Sequence, residues 1–182
     1  MNKTALLLID VQKGFDEPNY WGQRNNPQAE ANIARLLAVW RQAQRPIIHV
    51  RHCSTEPNSP LRPERPGNAF KDEAQPLPGE KQFSKTVNSA FIGTGLESYL
   101  HQQAITDLVI AGLTTDHCVS TSTRMAANLG FTVTLVADAT ATFDREYNGR
   151  FYTAAEIHQI NLASLHGEFC TVRTTAAILN DI

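Results

Sequence analysis

The chain alternates between short continuous hydrophobic runs and longer segments in which hydrophobic residues recur every three or four positions. The continuous runs predict buried strands, because a strand covered by helices on both sides has no polar face. The second pattern predicts helices with one apolar side. We place strands at residues 4–9, 47–50, 107–111, 131–136 and 169–172, the last at a sheet edge, and helices at residues 29–44, 94–103, 152–165 and 175–179.

This alternation predicts an α/β fold in which right-handed crossovers join neighbouring parallel strands. We expect a three-layer sandwich with helices on both faces of a mostly parallel sheet of five or six strands. The 182 residues contain no repeat or linker, so residues 1–182 are expected to form a single domain. Residues 54–80 hold six prolines and little periodicity, and they predict a long loop of the kind that often carries function.

Composition narrows the range of partners. A formal net charge of −2 gives no reason to expect binding to nucleic acid or to an anionic membrane. No apolar run reaches the roughly 18 residues of a membrane span, and the first residues lack the layout of a signal peptide. Three cysteines without a CxxC pair do not predict a disulfide framework or a structural zinc site. We therefore expect a cytoplasmic protein.

Cys118 follows a predicted buried strand and lies at the start of a segment with helical spacing that ends at Gly130. The unpaired N–H groups and the positive dipole end of a first helical turn both favour a thiolate. We therefore expect Cys118 to be a nucleophile with a lowered pKa. The alternative is that Cys118 is a small buried hydrophobic residue, as many free cysteines are.

Two charged residues are candidates to act with this thiol. Asp10 directly follows the first strand, at the sheet edge where open α/β folds place their sites, and is a candidate general base. The alternative for Asp10 is a turn or helix-cap residue. Lys85 ends a short extended segment among small and apolar residues, and its alternative is an ordinary exposed lysine.

Three motifs containing these residues occur in a characteristic order. They are Leu-Ile-Asp10-Val-Gln, then Lys85 followed by Ser89-Ala90-Phe91, then Gly112-Leu-Thr-Thr-Asp-His-Cys118-Val. The ordered set resembles the isochorismatase-like cysteine hydrolases, a superfamily that includes nicotinamidases and carbamoyl-amide hydrolases. The resemblance extends over essentially the whole chain.

The resemblance implies roles for particular residues. It implies a catalytic triad of Asp10, Lys85 and Cys118. It also implies an oxyanion hole built from the backbone N–H groups of Thr114 and Cys118, with a cis peptide between Leu113 and Thr114. Members of the superfamily commonly form dimers or larger assemblies, so a homo-oligomer is expected. The residues that the resemblance suggests as substrate-pocket walls are Gln12, Phe15, Tyr20, Trp21 and Phe91, with ordinary core packing as the alternative for Phe91.

A metal site is not expected. Nicotinamidases carry one after the second strand on an Asp-x-His pattern with a further histidine, whereas this chain reads Arg51-His52-Cys53-Ser54 and has no histidine in residues 55–80. His49 and His52 are three residues apart along or beside a strand, so their side chains point in different directions. We therefore expect no metal and no other cofactor, and nicotinamidase activity is not favoured.

Together these observations predict a cysteine-dependent amidohydrolase that cleaves a small amide or related C–N bond through a thioester, with a small-molecule substrate and water as its partners. Two alternatives stay open. An isochorismatase-type enzyme would cleave a vinyl ether by protonation, which needs the carboxylate but not the thiol. A non-catalytic binding or assembly protein of the same fold would need none of the three residues.

Overall fold

The computed structural model of the chain describes residues 3–181. Its strands are β1 (Lys3–Ile9), β2 (Ile47–His52), β3 (Lys81–Lys85), β4 (Ile105–Leu113), β5 (Thr132–Ala141), β6 (Arg145–Tyr147), β7 (Arg150–Tyr152) and β8 (Thr171–Arg173). Its α-helices are α1 (Pro18–Trp21), α2 (Ala29–Gln42), α3 (Leu96–Gln102), α4 (Ser120–Asn128), α5 (Ala154–Leu165) and α6 (Thr175–Leu179).

One six-stranded sheet forms the middle layer, in the order β3-β2-β1-β4-β5-β8 with every neighbouring pair parallel. The two remaining strands, β6 and β7, form a separate antiparallel hairpin. The chain leaves β1 toward one sheet edge through β2 and β3, and then builds the other half through β4, β5 and β8. The strand order therefore reverses between β1 and β4.

Both faces of the sheet are covered by helices. Alternate residues of β1 belong to opposite cores: Leu6 and Leu8 pack with residues of α2 and α6, whereas Ala5, Leu7 and Ile9 pack with residues of α3, α4 and α5. A strand buried on both sides explains why residues 4–9 read as a continuous apolar run. The predicted three-layer α/β sandwich is confirmed, and its parallel sheet has six of the expected five or six strands.

The structure corrects several predicted boundaries. β5 continues to Ala141, beyond the predicted end at residue 136, and the edge strand is Thr171–Arg173 rather than 169–172. The β6–β7 hairpin was not predicted, because three-residue strands carry too few positions to show periodicity. Residues 54–80 contain two single-turn helices, Pro66–Asn68 and Asp72–Ala74.

The segment around Cys118 also differs from the prediction. An α-helix was expected to begin there, but Cys118 lies in a π-helical turn, Thr115–Val119, and α4 follows it. Single π-helical turns are rare overall, but many of those that occur lie at functional sites. Among the helices of residues 3–181, none combines the length and the hydrophobicity that a bilayer-spanning helix needs.

Candidate active site

The carboxyl ends of four adjacent strands bring the candidate residues to one edge of the sheet. Asp10 follows β1, Lys85 ends β3, His52 ends β2, and Cys118 follows β4. This edge includes the reversal between β1 and β4, and open α/β sheets bind ligands in the crevice that such a reversal creates. The parallel topology therefore gathers residues that are far apart in the sequence.

Lys85 lies at the centre of this group. Its Nζ donates a hydrogen bond to Asp10 Oδ2 at 2.6 Å and to Cys118 Sγ at 3.2 Å, and lies 3.1 Å from His52 Nδ1. The side chains of Asp10 and Lys85 are fully buried. The structure thus brings Asp10, Lys85 and Cys118 together as expected, and it adds His52, which the sequence reasoning had considered only as a metal ligand.

Asp10 lies where β1 turns sharply. Its φ of +51° is in the left-handed region, which aspartate tolerates better than most residues, and its backbone oxygen accepts a hydrogen bond from Gln12 N at 2.9 Å. The neighbouring strand approaches very closely here, because a Cβ on Gly112 would lie 2.0 Å from the backbone oxygen of Ile9. The lack of a side chain at Gly112 is therefore needed to place β4 beside Asp10.

Burial has the largest effect on the pKa values of Asp10 and Cys118. It raises the pKa of the Asp10 carboxyl above its ordinary value of 3.8, and the Lys85 ammonium opposes that rise. Burial, together with the negative charge of Asp10, raises the pKa of the Cys118 thiol to about 12, again opposed by Lys85. The expectation of a lowered cysteine pKa is therefore wrong, because desolvation and an adjacent anion outweigh the N–H groups of the turn. The resting site holds a thiol near neutral pH.

The turn that carries Cys118 is held from two sides. Thr115 Oγ1 lies 2.9 Å from His158 Nδ1 on α5, and both side chains are buried. Asp116 accepts a hydrogen bond from Arg145 Nε at 3.0 Å, which ties the turn to β6. These contacts fix the part of the turn that precedes Cys118.

The peptide bond between Leu113 and Thr114 is cis, as the resemblance implied. Thr114 and Cys118 both line a small cavity. The assignment of their backbone N–H groups as oxyanion donors stays a prediction.

A cavity of about 90 Å³ opens over the thiol. The rings of Phe15 and Trp21 form part of its wall, with centroids 4.9 Å apart, and Trp21 Nε1 donates a hydrogen bond to the backbone oxygen of Gly14 at 2.7 Å. The cavity is lined by Asp10, Phe15, Trp21, His52, Leu61, Asn88, Thr114, His117 and Cys118. Its size suits a substrate of only a few heavy atoms.

Three of the suggested pocket residues are not among those that line the cavity. The buried amide of Gln12 is occupied by backbone groups, including His52 N and His52 O at 2.8 and 3.0 Å. Tyr20 is exposed and faces a separate cleft. Phe91 belongs to the core, where it stacks on Phe131 with a centroid distance of 6.1 Å.

The ligand atoms of Asp10, His52 and Cys118 lie within 4.8 Å of one another, which is a spacing that could hold a metal ion. The Lys85 ammonium already donates to or touches all three. A metal cation would have to displace that positive charge, so the donor set fits the ammonium better than a metal. His49 lies apart from this group and contacts Glu80 Oε2 at 2.8 Å.

The sequence reasoning did not identify His52, Leu61 or Asn88 as residues of the cavity. A signal for His52 exists in the pairing of β2 with β3, where His52 and Lys85 are register partners. That signal becomes readable only after the strand order is known. Leu61 lies in the long proline-rich loop and Asn88 between β3 and α3, where the sequence has no periodicity.

Comparisons with known proteins show which family the chain resembles. The family model described as the Isochorismatase domain matches residues 4–177. The isochorismatase family protein YrdC of Bacillus subtilis is 49% identical over 180 residues, covering 98% of this chain and 96% of YrdC. The maleamate amidohydrolase of Pseudomonas putida is 27% identical, covering 94% of this chain and 83% of that enzyme.

The crystal structure of an isochorismatase-family protein from Chromobacterium violaceum superposes with a TM-score of 0.95 at 50% identity, covering 99% of this chain and 93% of that one. The match therefore includes the sheet, both helical layers and the edge that carries Asp10, Lys85 and Cys118. On this evidence the chain belongs to the isochorismatase family.

Proposed function

We propose that this protein hydrolyses a small amide or related C–N bond through a thioester on Cys118, with Asp10 as the proton carrier and Lys85 as the organising cation. The observation that carries the proposal is the Lys85 ammonium within hydrogen-bonding distance of both Asp10 and Cys118, two residues that line a small cavity. The similarity to a maleamate amidohydrolase supports C–N bond hydrolysis.

In the first half-reaction, Cys118 Sγ attacks the substrate carbonyl carbon while the thiol proton passes to the Asp10 carboxylate. Asp10 Oδ1 is buried and has no hydrogen-bond partner among the described residues, so it can accept that proton. The raised pKa of Asp10 makes it a stronger base than an exposed aspartate. The oxygen of the tetrahedral intermediate takes its hydrogen bonds from the N–H groups of Thr114 and Cys118.

Collapse of this intermediate breaks the C–N bond, and the proton on Asp10 leaves with the amine or ammonia. The product at this stage is a thioester between the acyl group and Cys118. Water then attacks the thioester, with Asp10 taking one water proton. The carboxylic acid departs, and the proton returns to Sγ, so both side chains regain their resting states.

Lys85 serves both half-reactions through its charge. It opposes the burial that would otherwise leave Asp10 protonated, and it stabilises the thiolate each time negative charge reaches sulfur. The ammonium contacts both Asp10 and Cys118, so it can stabilise whichever of the two carries the negative charge.

The cavity favours an uncharged acyl group. Of the described residues that line it, none is a lysine or an arginine, and the aromatic pair Phe15 and Trp21 supplies apolar wall. A substrate carboxylate would therefore lose its hydration without gaining an ion pair. We propose a neutral small amide as the substrate class.

The reaction is tested by measuring ammonia release from a panel of small amides. We expect the Cys118→Ala substitution to lower the rate by about 10³-fold or more, because it removes the nucleophile. Cys53→Ala is the matched control, since Cys53 is a half-buried free cysteine that does not line the cavity. Acid-quenched wild-type protein should carry the acyl mass on the peptide containing Cys118.

Full turnover by Cys118→Ala would overturn the thioester route and would direct attention to vinyl-ether substrates. The charge preference is tested separately with maleamide and maleamate, which share a skeleton and differ in one amide or carboxylate. We expect the neutral maleamide to be the better substrate in kcat/KM. Equal or better use of maleamate would show that the cavity accepts a carboxylate.

A further inference from the structure

A lysine ammonium carries three N–H donors, and the structure provides three acceptors for those of Lys85. Asp10 Oδ2 lies at 2.6 Å, His52 Nδ1 at 3.1 Å and Cys118 Sγ at 3.2 Å. An ammonium has no lone pair to offer, so His52 Nδ1 must present its own lone pair and the ring proton must lie on Nε2. The His52 ring also forms a hydrogen bond with the backbone of Val87.

We propose that His52 is a positioning residue for the reaction: by accepting the third ammonium proton, it holds Lys85 Nζ between Asp10 and Cys118. Without His52, one ammonium proton has no acceptor, and the ammonium can shift toward Asp10 and away from sulfur, its weaker partner. With His52, three acceptors fix its position and orientation. The effect on rate rests on the proposed function, whereas the effect on Lys85 can be measured without any substrate.

The backbone of His52 is itself fixed from two directions. The amide of Gln12 forms a pair of bonds with it, Oε1 accepting from His52 N at 2.8 Å and Nε2 donating to His52 O at 3.0 Å. The amide of Asn68 donates to the same oxygen at 2.9 Å. Two side-chain amides thus hold the backbone of a single residue. Such support is typical of a residue whose side chain must be placed accurately.

The register of the sheet also places His52 beside Lys85. His52 and Lys85 are partners at the carboxyl ends of the adjacent parallel strands β2 and β3. Burial and the Lys85 charge lower the pKa of His52 to about 4, so the ring stays a neutral acceptor throughout the range in which the enzyme would work. His52 therefore cannot compete with Lys85 as a second cation near Asp10.

Two substitutions separate the acceptor from the bulk of the ring. His52→Asn keeps an oxygen near the position of Nδ1, whereas His52→Leu fills similar space without an acceptor. We expect His52→Leu to lower kcat by about 10- to 100-fold with KM changed by less than about threefold, because a misplaced catalytic group costs rate rather than binding. We expect His52→Asn to recover most of the loss. His101→Leu, on the exposed surface of α3, is the control.

The Lys85 ammonium is observed directly by NMR of protein containing isotope-labelled lysine. A lysine ammonium with all three protons bonded exchanges slowly with water, so we expect a protected Lys85 signal in the wild type and in His52→Asn. We expect faster exchange in His52→Leu. Lys85→Arg assigns the signal, and thermal unfolding confirms that each variant is folded; His52→Ala replaces His52→Leu if that variant does not fold.

The proposal is overturned if the acceptor-free variant keeps wild-type kcat, if His52→Asn is as slow as His52→Leu, or if Lys85 exchange is the same in all three proteins. A large rise in KM at constant kcat would also overturn it, since that pattern belongs to a substrate-binding residue. If the wild type hydrolyses no amide while the Lys85 exchange pattern holds, the proposed function fails and the positioning of Lys85 stands.

Discussion

At the scale of single residues, burial disfavours the charged form of both reacting side chains. The pKa of Cys118 is raised to about 12 by burial and by the charge of Asp10, with Lys85 opposing both. The pKa of Asp10 is also raised by burial, again with Lys85 opposing the rise. Proton transfer must therefore accompany the attack of sulfur on the substrate, which protects the free enzyme from unproductive thiolate chemistry.

This arrangement predicts opposite effects of one substitution on two reactions of Cys118. Asp10→Asn removes the anion that raises the thiol pKa, so alkylation by iodoacetamide at about pH 8 should become faster, about tenfold for each unit by which the thiol pKa falls. The same change removes the proton carrier, so amide hydrolysis should fall by about 10²- to 10⁴-fold. Peptide mapping after a short alkylation pulse measures the first effect, and ammonia release measures the second.

The exposed carboxylate Asp72 provides the control, since Asp72→Asn should alter neither reaction. Slower alkylation in Asp10→Asn would show that Asp10 promotes the thiolate, contrary to the pKa directions given by the structure. In the wild type, the alkylation rate should keep rising through about pH 9 without a plateau, because the thiol pKa lies above that range.

The sequence was sufficient to select Asp10, Lys85 and Cys118 but not to predict their protonation states. Asp10 and Cys118 were selected by residue type and by position after predicted strands, whereas Lys85 was selected through the resemblance of the ordered motifs to the superfamily. The pKa of Cys118 depends on desolvation by residues from several elements, and the role of His52 depends on strand register. Neither the pKa of Cys118 nor the role of His52 can be inferred from the neighbouring residues in the sequence.

At the scale of elements, the junction of β1 and β4 determines whether the site forms. Gly112 lies beside Ile9, and a Cβ there would lie 2.0 Å from the Ile9 backbone oxygen and 2.8 Å from its nitrogen. These are backbone atoms of a central strand and cannot move aside. The contact is one residue before Asp10, so any separation of the strands would displace the carboxylate.

We predict that Gly112→Ala lowers the free energy of unfolding by more than about 3 kcal/mol, since it combines a backbone clash with strain at positive φ. Gly130→Ala is a matched control: its φ of +88° is also positive, but no heavy atom lies within 4 Å of the added Cβ. That variant should lose only about 1–2 kcal/mol. Denaturant unfolding measures both, and equal losses would show that the close approach of β4 to β1 does not matter.

Elements with long uniform patterns were predicted well, and short or mixed ones were not. The apolar runs of β1 and β4 and the periodic helix α2 each signal their type through many residues. The last part of β5, residues 138–141, contains polar residues that resemble a turn, yet it pairs with β4 through Gly112 and Leu113. The secondary structure of such a segment is determined by pairing with a neighbouring strand rather than by the local preference of its residues.

At the scale of the whole molecule, the reversal of strand order between β1 and β4 explains why the site is where it is. Asp10 and Cys118 follow the two strands that flank the reversal, and Lys85 reaches across β2 from the next strand outward. The sequence predicted the layers but left the strand order open, because periodicity does not report which strands are neighbours. The cytoplasmic location and the homo-oligomer stay predictions.

Burial of polar groups through the molecule predicts how its stability depends on pH. His49, His52 and His158 all have pKa values lowered from 6.5, chiefly by desolvation. Between the folded and unfolded pKa values, the unfolded chain takes up a proton that the folded chain does not. The free energy of unfolding should therefore be highest above about pH 7 and should fall toward about pH 5, by at most about 1.4 kcal/mol per pH unit for each histidine.

Two substitutions divide this pH dependence into separate windows. His158→Gln should reduce the slope between about pH 7 and pH 5, because one of the three protons is no longer taken up on unfolding. Glu30→Gln should lower stability at every pH above about 4.5 and alter the slope only below that pH, since the ion pairs of Glu30 with Arg24 and Lys71 lower its pKa to about 2 despite its burial. Denaturant unfolding across the pH range measures both slopes. A His158→Gln slope equal to that of the wild type would show that His158 is already protonated in the folded state, and its contact with Thr115 would then have to be a donated hydrogen bond.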